Sequence, residues 1–353
     1  MTAIPQAAHT PVVAAAPPTG RVSVVVVSYN TREWIVRCLA SLAGASRREL
    51  EVIVVDNAST DGSAAAVAGE FPAVRLVRNA ENVGFARAVN QAAALATGDH
   101  LLLLNPDGTL EPGAVDALVD FALAHPEYVI CGGRTMTPEG ELDPRSCWAA
   151  PTLWSLLCSA TMLSTLRPGS RLLDPEAMGR FRRDEARAVD IVTGCLLLIA
   201  RDDWRALGGF DERYFVYGED ADLCLRATAA TGRRCAITPD ARMVHAVSAS
   251  SASHADKQEL LVRGRITLAR THLPGWRAPA GAALIVAGVG MRALLWRAGV
   301  DRGDTWGEVW RRRRRWWRGY PAHAGDGATP RPTCRRGRRR PARAGPACPR
   351  PPR

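Results

Sequence analysis

The segment VDNASTDGS, residues 55–63, is the first stretch of this sequence whose side chains could recognise a ligand. Asp56 and Asn57 directly follow a β-branched run, so they stand at the end of a predicted strand. A carboxylate beside an amide can pair with the imide face of uracil or thymine, which offers one N–H between two carbonyls. The same residues would also form an Asx turn and a helix N-cap, with no ligand involved. Taken alone, the segment leaves both interpretations open.

A second candidate site is the segment YGEDAD, residues 217–222, which opens a predicted helix. Negative side chains at a helix start commonly serve only to complement the helix dipole. Asp222 is spaced to pair with Arg226 at i,i+4, so we assign it a structural role. Glu219 and Asp220 are adjacent and leave the helix start in different directions. One of them can face a substrate while the other caps backbone N–H groups.

Three further features are ambiguous by themselves. The segment NPDG, residues 105–108, ends a strand-like run abruptly, and an Asp after Pro often only caps a helix. His245 stands alone in ARMVHAVSAS, where a histidine is as often an ordinary polar residue as a ligand. Phe210 and the aromatic residues within 214–217 can stack on a sugar, although packing under the following helix is the simpler interpretation.

Apolar runs that alternate with helical patterns must position these polar clusters. The runs RVSVVVVSY, LEVIVV and HLLLL are the pattern of parallel strands buried on both faces. We predict alternating strands and helices over 21–29, 30–42, 50–55, 63–71, 74–78, 83–96 and 100–104. This alternation predicts an α/β fold with a doubly wound, mostly parallel sheet, whose ligand site lies at the carboxyl ends of the strands.

The second half of the chain is less regular. Poor periodicity over 147–187 predicts an irregular lid or insertion. Further helices and strands are predicted over 113–125, 129–132, 189–200, 203–207, 219–231, 235–238 and 257–272. The apolar segment 278–296 contains Arg292 and falls short of the roughly 20 residues that span a bilayer, so we predict an interfacial helix. Five tryptophans interleaved with Arg suit the headgroup zone of an anionic membrane: Trp296, Trp306, Trp310, Trp316 and Trp317.

The formal charge of +11 would suggest a nucleic-acid binder if it were spread over the fold. Residues 311–353, however, hold fifteen Arg and one Asp, so this segment carries +14 and the remainder about −3. The folded part therefore has no basic footprint for a nucleic acid, and none is expected as a partner.

Nine cysteines without a CxxC pair predict reduced thiols in a cytosolic protein. The first twenty residues lack the charged n-region of a signal peptide.

Five motifs, taken in order and spacing, resemble the family 2 glycosyltransferases, and most closely their rhamnosyltransferase-like branch, which builds bacterial cell-surface glycans. The motifs are SVVVVSYN at 23–30, VDNASTDGS at 55–63, NVGFARAVNQA at 82–92, LLLLNPDG at 101–108 and GGFDERYFVYGEDADLCLR at 208–226. The resemblance covers roughly residues 22–250 and implies a GT-A fold for residues 21–256. It implies donor contacts from Ser28, Tyr29, Asn30, Asp56, Asn57, Asp61, Asn82, Gly84, Phe85, Asn90 and Asn105.

The resemblance also implies a metal-dependent, inverting reaction. Asp107 would bind a divalent cation, Mg²⁺ or Mn²⁺, that neutralises the leaving diphosphate, and His245 would lie close to both. Asn105 stands where many relatives have Asp, which implies a weaker or more hydrated metal shell. Of the acidic pair, Asp220 would take the proton from the attacking acceptor hydroxyl, with Glu219 beside it.

We therefore predict a glycosyltransferase that moves a sugar such as rhamnose from a dTDP- or UDP-sugar to a lipid-linked or cell-surface glycan acceptor. It would work on the cytoplasmic face of a bacterial plasma membrane, in peripheral contact through a helical region at 257–320. A disordered leader (1–20) and a disordered Arg- and Pro-rich tail (321–353) would flank the folded part.

A Rossmann oxidoreductase is excluded because VSYNTRE has no glycine after the first strand. The remaining alternative is a catalytically silent nucleotide-sugar-binding or scaffold protein at the membrane, which only Asn105 favours.

Overall fold

The predicted strands and helices form in the expected order in the computed structural model, which describes residues 20–179, 181–246, 253–299 and 305–321. The predicted leader up to residue 19 and the predicted tail beyond residue 321 lie outside the described residues. The strands are β1 Val22–Ser28, β2 Leu50–Asp56, β3 Arg75–Arg78, β4 His100–Leu104, β5 Gly108–Leu110, β6 Tyr128–Met136, β7 Cys147–Trp148, β8 Arg187–Val189, β9 Ile191–Val192, β10 Leu196–Ala200 and β11 Arg234–His245. The helices are α1 Arg32–Ala45, α2 Ser63–Glu70, α3 Phe85–Leu95, α4 Ala114–Ala124, α5 Leu153–Ala160, α6 Leu163–Leu166, α7 Arg201–Leu207, α8 Glu219–Thr231, α9 His254–His272, α10 Arg277–Arg297 and α11 Thr305–Arg311.

A mixed sheet of nine strands forms the centre of the fold, in the order β3-β2-β1-β4-β10-β6-β11-β5, with β8 beside β11. Strands β1 to β4 run parallel to one another, and β11 runs parallel to β6. Strand β10 lies antiparallel between β4 and β6. The predicted mostly parallel sheet is thus confirmed. The carboxyl ends of β1, β2 and β4 meet at one edge, where open α/β sheets bind ligands.

Strand β1 illustrates how the sequence specifies the middle of this sheet. Val24 and Val26 pack into the apolar cluster on one face, and Val25 and Val27 pack into the cluster on the other. Helices α1 and α4 cover the first face, while α3 and α8 cover the second. An unbroken β-branched run suits a strand that is buried on both sides.

Three sequence predictions in the second half were wrong in extent. The predicted strand at 189–200 breaks into β8, β9 and β10, because β9 leaves the main sheet to pair with β7. Strands β6 and β11 are longer than predicted because they pair with each other almost to their ends. The segment 147–187 is not wholly irregular, since α5 forms within it and packs against α10.

The helices α9, α10 and α11 pack together around a small apolar cluster of their own. Tyr320 joins this region to the sheet domain, because its hydroxyl donates to the Val216 carbonyl (3.3 Å) and its N–H donates to Thr267 Oγ1 (2.8 Å). Trp316 is fully buried and donates Nε1–H to the Val309 carbonyl (2.9 Å). The prediction that this tryptophan faces lipid headgroups was therefore wrong, whereas Trp317 is 42% exposed.

Helix α10 is longer than the sequence prediction allowed. It has 21 residues and a mean hydropathy of 1.6 over its apolar window, so by length and composition it could cross a bilayer. Within this window 28% of the residues are buried in the protein. The predicted shortfall in length was wrong because the helix begins at Arg277 and continues through the glycines and Pro279 that counted against it.

Candidate active site

The loop after β2 presents the first candidate donor residue, Asp56, at the open edge of the sheet. Asp56 is 4% exposed, and its Oδ2 accepts the Ser59 backbone N–H at 3.1 Å. Its Oδ1 is buried and has no hydrogen bond partner among the described residues. A buried carboxylate oxygen without a partner costs free energy, so this atom is suited to accept an N–H from a ligand.

Asn57 is fully occupied by contacts within the protein. Its Nδ2 donates to Asn82 Oδ1 (2.8 Å) and to the Gly84 carbonyl (3.2 Å). Its Oδ1 accepts from Asn79 Nδ2 (3.0 Å) and from the Val83 N–H (3.1 Å). Asn57 therefore links the loop after β2 to the segment 79–84 through both the nitrogen and the oxygen of its side-chain amide.

Gly84 allows this segment to approach the loop before the acidic pair. It has a φ of +88°, and a Cβ at this position would lie 2.6 Å from the Phe215 carbonyl oxygen. The next residue, Phe85, donates its N–H to the same carbonyl at 2.6 Å. Asn90 holds the chain nearby, since its side chain donates to the Phe210 carbonyl (2.9 Å) and accepts the Phe210 N–H (3.0 Å). Three predicted donor residues thus fasten the segment 210–215 against α3.

The end of β1 is bonded to the same loop after β2. Asn30 has a φ of 53°, its N–H donates to Ser59 Oγ (2.9 Å), and its Oδ1 accepts the Thr60 N–H (2.8 Å). Ser28 is buried and shares a 2.9 Å hydrogen bond with the Thr31 hydroxyl. Tyr29, in contrast, is 36% exposed and free to contact a ligand at the sheet edge.

Asp61 joins the starts of two helices. Its Oδ2 accepts the Arg32 N–H at 2.9 Å, at the first residue of α1. Its Oδ1 accepts the N–H (3.0 Å) and the hydroxyl (2.6 Å) of Ser63, at the first residue of α2. These bonds hold the pKa of Asp61 below its usual value against the opposing effect of burial. The residue shapes the loop that carries Asp56.

The two carboxyls at the start of α8 have unequal surroundings. Glu219 is 5% exposed, and its Oε2 is buried with no hydrogen bond partner among the described residues. Asp220 is half-buried, its Oδ2 accepts the Gly194 N–H (3.0 Å), and its Oδ1 accepts the Ala221 N–H (2.7 Å). A Cβ on Gly194 would lie 3.6 Å from the Asp220 Cβ and 3.8 Å from Phe85 Cε1. Gly194 therefore lies between the acidic pair and a predicted donor residue.

These surroundings affect the two carboxyls unequally. Burial raises the pKa of Glu219 well above its usual value of 4.5, and the adjacent Asp220 charge raises it further. Burial also raises the pKa of Asp220, but the N–H groups of Gly194 and Ala221 oppose that increase. Two adjacent carboxyls titrate as a coupled pair. Of the two, Asp220 is the carboxyl whose charged form accepts hydrogen bonds from neighbouring backbone N–H groups.

Asp222 has the structural role that its spacing predicted. Its Oδ2 accepts from Arg226 Nε at 2.7 Å, and its Oδ1 lies 2.8 Å from His272 Nε2 in α9. Burial alone would raise the pKa of Asp222, but the hydrogen bond to His272 and the Arg226 charge lower it. The same packing of α8 buries Phe210 and Tyr214, so these aromatics are core residues.

Asp107, which follows the end of β4, lies beside His245, the last residue of β11. The His245 Nε2 is 3.3 Å from Asp107 Oδ1 and 3.4 Å from Asn105 Nδ2. On the other side of the ring, Nδ1 is 3.3 Å from Asp143 Oδ2. Burial would lower the pKa of His245, but the hydrogen bonds to Asp107 and Asp143 outweigh it and raise the pKa to about 9.

Asp143 is the residue of this site that sequence reasoning missed. Its side chain is fully buried, and its pKa is held well below the usual value because hydrogen bonds to His245 and Arg145 outweigh burial. The Asp143 N–H donates to the Thr135 carbonyl of β6 at 3.0 Å, and β6 pairs with β11, which ends at His245. Asp143 and His245 are 102 positions apart in the sequence, and the pairing of β6 with β11 brings them together. No short sequence segment could therefore predict this contact.

The ligand types at this position suit a divalent metal ion. They comprise the Asp107 carboxylate, the Asn105 side-chain amide and the His245 Nε2, which must lose its proton to bind a metal, while Asp143 orients the imidazole from behind. Across the four described ranges, no three His, Cys, Asp or Glu side chains are arranged to hold a metal ion by themselves. The seven described cysteines are all buried and free, so none is a candidate ligand at the open edge.

The chain is similar in sequence to known glycosyltransferases. The family model that matches residues 23–186 is described as glycosyl transferase family 2. The N-acetylglucosaminyl-diphospho-decaprenol L-rhamnosyltransferase of Mycobacterium tuberculosis is 32% identical over 272 residues, covering 72% of this chain and 86% of that protein. The glucosyl-dolichyl phosphate glucuronosyltransferase of Haloferax volcanii is 26% identical over 64% of this chain and 69% of its own.

A solved structure shares the fold. The mannosyltransferase PcManGT from Pyrobaculum calidifontis, determined in complex with GDP-Man and Mn²⁺, aligns with a TM-score of 0.51 at 20% identity. The alignment covers 86% of this chain and 87% of that one. The GT-A type of fold that the five motifs implied is confirmed.

Proposed function

The chain belongs to glycosyl transferase family 2, and we propose that it moves a sugar from a nucleotide diphosphate donor to a hydroxyl of a lipid-linked acceptor, inverting the anomeric centre. The observation that carries this proposal is the unequal pair at the start of α8. Glu219 is buried with Oε2 unbonded among the described residues, while Asp220 is half-buried, accepts two backbone N–H groups and lies near the predicted donor residue Phe85. We assign the ionised state to Asp220. One ionised carboxylate next to the donor is what a single displacement needs as its general base.

Asp56 is the residue that we assign to the nucleobase. Its buried Oδ1 has no partner among the described residues and would accept the imide N–H of uracil or thymine. Asn57 and Asp61 act behind it, because their polar atoms are bonded to neighbouring loops and helix starts. The donor in this proposal is a dTDP- or UDP-sugar.

The diphosphate lies at Asp107, His245 and Asn105 in this proposal. Asp107, His245 and Asn105 would hold Mg²⁺ or Mn²⁺, since a carboxylate, an imidazole and a side-chain amide are all groups that bind such cations. When bound, the cation supplies positive charge that offsets the charge developing on the leaving diphosphate. Asp143 is a positioning residue here, because it fixes the ring of His245 from the opposite side.

In the chemical step, a carboxylate oxygen of Asp220 takes the proton of the acceptor hydroxyl while the hydroxyl oxygen forms a bond to the anomeric carbon. The bond from that carbon to the diphosphate oxygen breaks, and the nucleoside diphosphate leaves with the electron pair. Attack on the face opposite the leaving group inverts the configuration. Asp220 then releases its proton to solvent, and Glu219 keeps the site from holding two adjacent negative charges.

The acceptor and the sugar in this proposal are taken from the Mycobacterium tuberculosis relative. That protein is named as an L-rhamnosyltransferase that acts on N-acetylglucosaminyl-diphospho-decaprenol. We propose the same classes here, namely rhamnose as the sugar and a polyprenyl-diphosphate-linked or other cell-surface glycan as the acceptor. An acceptor of this kind is anchored in a membrane. The enzyme would therefore work in peripheral contact with the cytoplasmic face of a bacterial plasma membrane, with the exposed apolar residues of α10 toward the lipid.

A donor panel tests the proposal. The full chain is incubated with dTDP- and UDP-sugars and Mg²⁺ or Mn²⁺, and release of nucleoside diphosphate is measured with and without excess chelator. We expect release from one donor class, and none with chelator present or in Asp107→Ala. Full turnover in chelator would remove the metal from the proposal. Binding of a donor without any turnover on any acceptor would favour the silent binding protein that Asn105 suggested.

A further inference from the structure

A cavity of about 220 Å³ lies between α5, α9, α10 and α11, among residues to which the proposed sugar transfer assigns no role. Most of its lining is aliphatic, as in Leu156, Val262, Ile285 and Val289. An apolar cavity of about 150 Å³ is large enough to bind benzene. This cavity can therefore hold a short length of branched hydrocarbon.

Two arginines also line this cavity, and one of them has no carboxylate partner. The Arg292 guanidinium donates to the backbone carbonyls of Gly288 and Ser159, both at 3.1 Å. It also lies 5.3 Å from the centroid of the Trp306 ring. Within the described part of the chain, no Asp or Glu lies within ion-pair distance of Arg292. The second arginine, Arg265, is paired with Glu176 at 3.0 Å.

A half-buried guanidinium without a counter-charge is costly in an apolar setting, so a bound anion would stabilise it. Arg is also the side chain best suited to phosphate, because its fork of donors can bind two oxygens at once. A phosphate alone, however, would not account for the aliphatic lining. A hydrocarbon alone would not account for Arg292.

We propose that this cavity binds a phosphorylated lipid, with the phosphate on Arg292 and the start of the chain among the aliphatic residues. Helices α5 and α10, which line the cavity, also carry the exposed apolar side chains Leu157 (37%), Met291 (43%) and Leu294 (61%). We assign the rest of such a chain to this exposed apolar surface. The proposal does not depend on sugar transfer, since lipid binding can be measured on the full chain without any donor.

The test measures binding of farnesyl phosphate, farnesol and inorganic phosphate to the full chain by calorimetry, below the micelle concentration of each lipid. Farnesyl phosphate is expected to bind more tightly than either of the other two. Arg292→Gln should weaken farnesyl phosphate binding by roughly 10- to 100-fold, the worth of a charge-assisted hydrogen bond, and leave farnesol unchanged. Arg205→Gln, at an exposed arginine of α7, is the matched control and should behave as wild type.

A second variant keeps the test decisive if Arg292→Gln does not fold. Leu284→Trp places a larger side chain in the lining and should weaken farnesyl phosphate and farnesol alike. Equal binding of farnesyl phosphate by wild type and both variants would overturn the proposal. Equal affinity of wild type for inorganic phosphate and farnesyl phosphate would overturn the lipid part, because the chain would then contribute nothing.

Discussion

Asp143 and His245 lie 3.3 Å apart, with the Asp143 carboxylate on Nδ1 and Asp107 on the opposite side of the ring. A carboxylate behind a histidine fixes its ring orientation and its tautomer, which is how proteins commonly support a metal-binding imidazole. Asp143 is fully buried and well bonded, so it can hold the ring without moving. This arrangement preorganises the position to which we assign the metal and the diphosphate.

Asp143→Asn should therefore weaken metal binding while the fold remains intact. We expect the affinity for Mn²⁺, measured by calorimetry with the nucleoside diphosphate present, to fall about 10- to 100-fold. Asp202→Asn, at an exposed carboxylate of α7, should match wild type. Wild-type Mn²⁺ affinity in Asp143→Asn, with an unchanged melting temperature, would show that the ring needs no support from this residue.

Asp56→Ala should raise the donor KM and leave kcat nearly unchanged, because we assign Asp56 to the base and not to the reacting bond. Loss of a hydrogen bond to a charged group predicts an increase of roughly 10- to 100-fold. Glu70→Ala, an exposed carboxyl at the end of α2, provides the control. If Asp56→Ala lowers only kcat, its assignment to the nucleobase is wrong.

Glu219→Gln should change how stability depends on pH. The pKa of Glu219 in the fold is raised well above 4.5, so the unfolded chain loses its proton first as the pH increases. The stability that the protonated group contributes is complete below pH 4.5 and is lost as the pH rises toward the folded-state pKa. Gln cannot ionise and does not incur this loss.

The melting temperature of Glu219→Gln, relative to wild type, should thus increase with pH from about 4.5 upward. Thermal unfolding followed by circular dichroism across this range measures the difference. Glu139→Gln, at an exposed position, should show no such trend. A constant difference between Glu219→Gln and wild type at every pH would mean that Glu219 is ionised in the fold.

Membrane attachment should depend on the exposed apolar residues of the C-terminal region. Trp276 is 71% exposed and Leu294 61% exposed, so Trp276→Ser with Leu294→Ser removes apolar surface without opening the core. We expect this double variant to shift from anionic vesicles to the soluble fraction in a sedimentation assay and to retain donor hydrolysis. Leu123→Ser, at an exposed position of α4, should still sediment with the vesicles. Equal partition of all three proteins would contradict peripheral attachment.

The sequence predicted those features that short segments encode. The run from Val22 to Val27 specified a central strand, and the spacing of Asp222 and Arg226 specified an ion pair. The antiparallel direction of β10 could not be predicted from the sequence, because an apolar run such as LLLIA is equally buried in either orientation. Asp143 was missed for a related reason, since its role arises only from the pairing of β6 with β11.

Burial also separated residues that the sequence had grouped together. Trp316 and Trp317 are neighbours in an Arg-rich segment, yet the first is fully buried and the second is 42% exposed. Glu219 and Asp220 are likewise adjacent, and only the hydrogen bonds of the folded chain distinguish the carboxyl that accepts two backbone N–H groups from the one whose Oε2 has no partner among the described residues. Side chains one position apart leave a helix in different directions, so composition alone could not have ranked them.

The most direct test of the account is the reaction of wild type and Asp220→Asn with the active donor and a synthetic polyprenyl-diphosphate-linked N-acetylglucosamine acceptor. The anomeric configuration of the product is read by NMR, and kcat is measured for both proteins, with Asp202→Asn as the control. If Asp220 is the general base of an inverting transfer, the anomeric configuration of the product is opposite to that of the donor. We also expect kcat of Asp220→Asn to be lower by about 10²- to 10⁴-fold, at nearly unchanged donor affinity. Retention of configuration, or an Asp220→Asn enzyme within a few-fold of wild type, would contradict it.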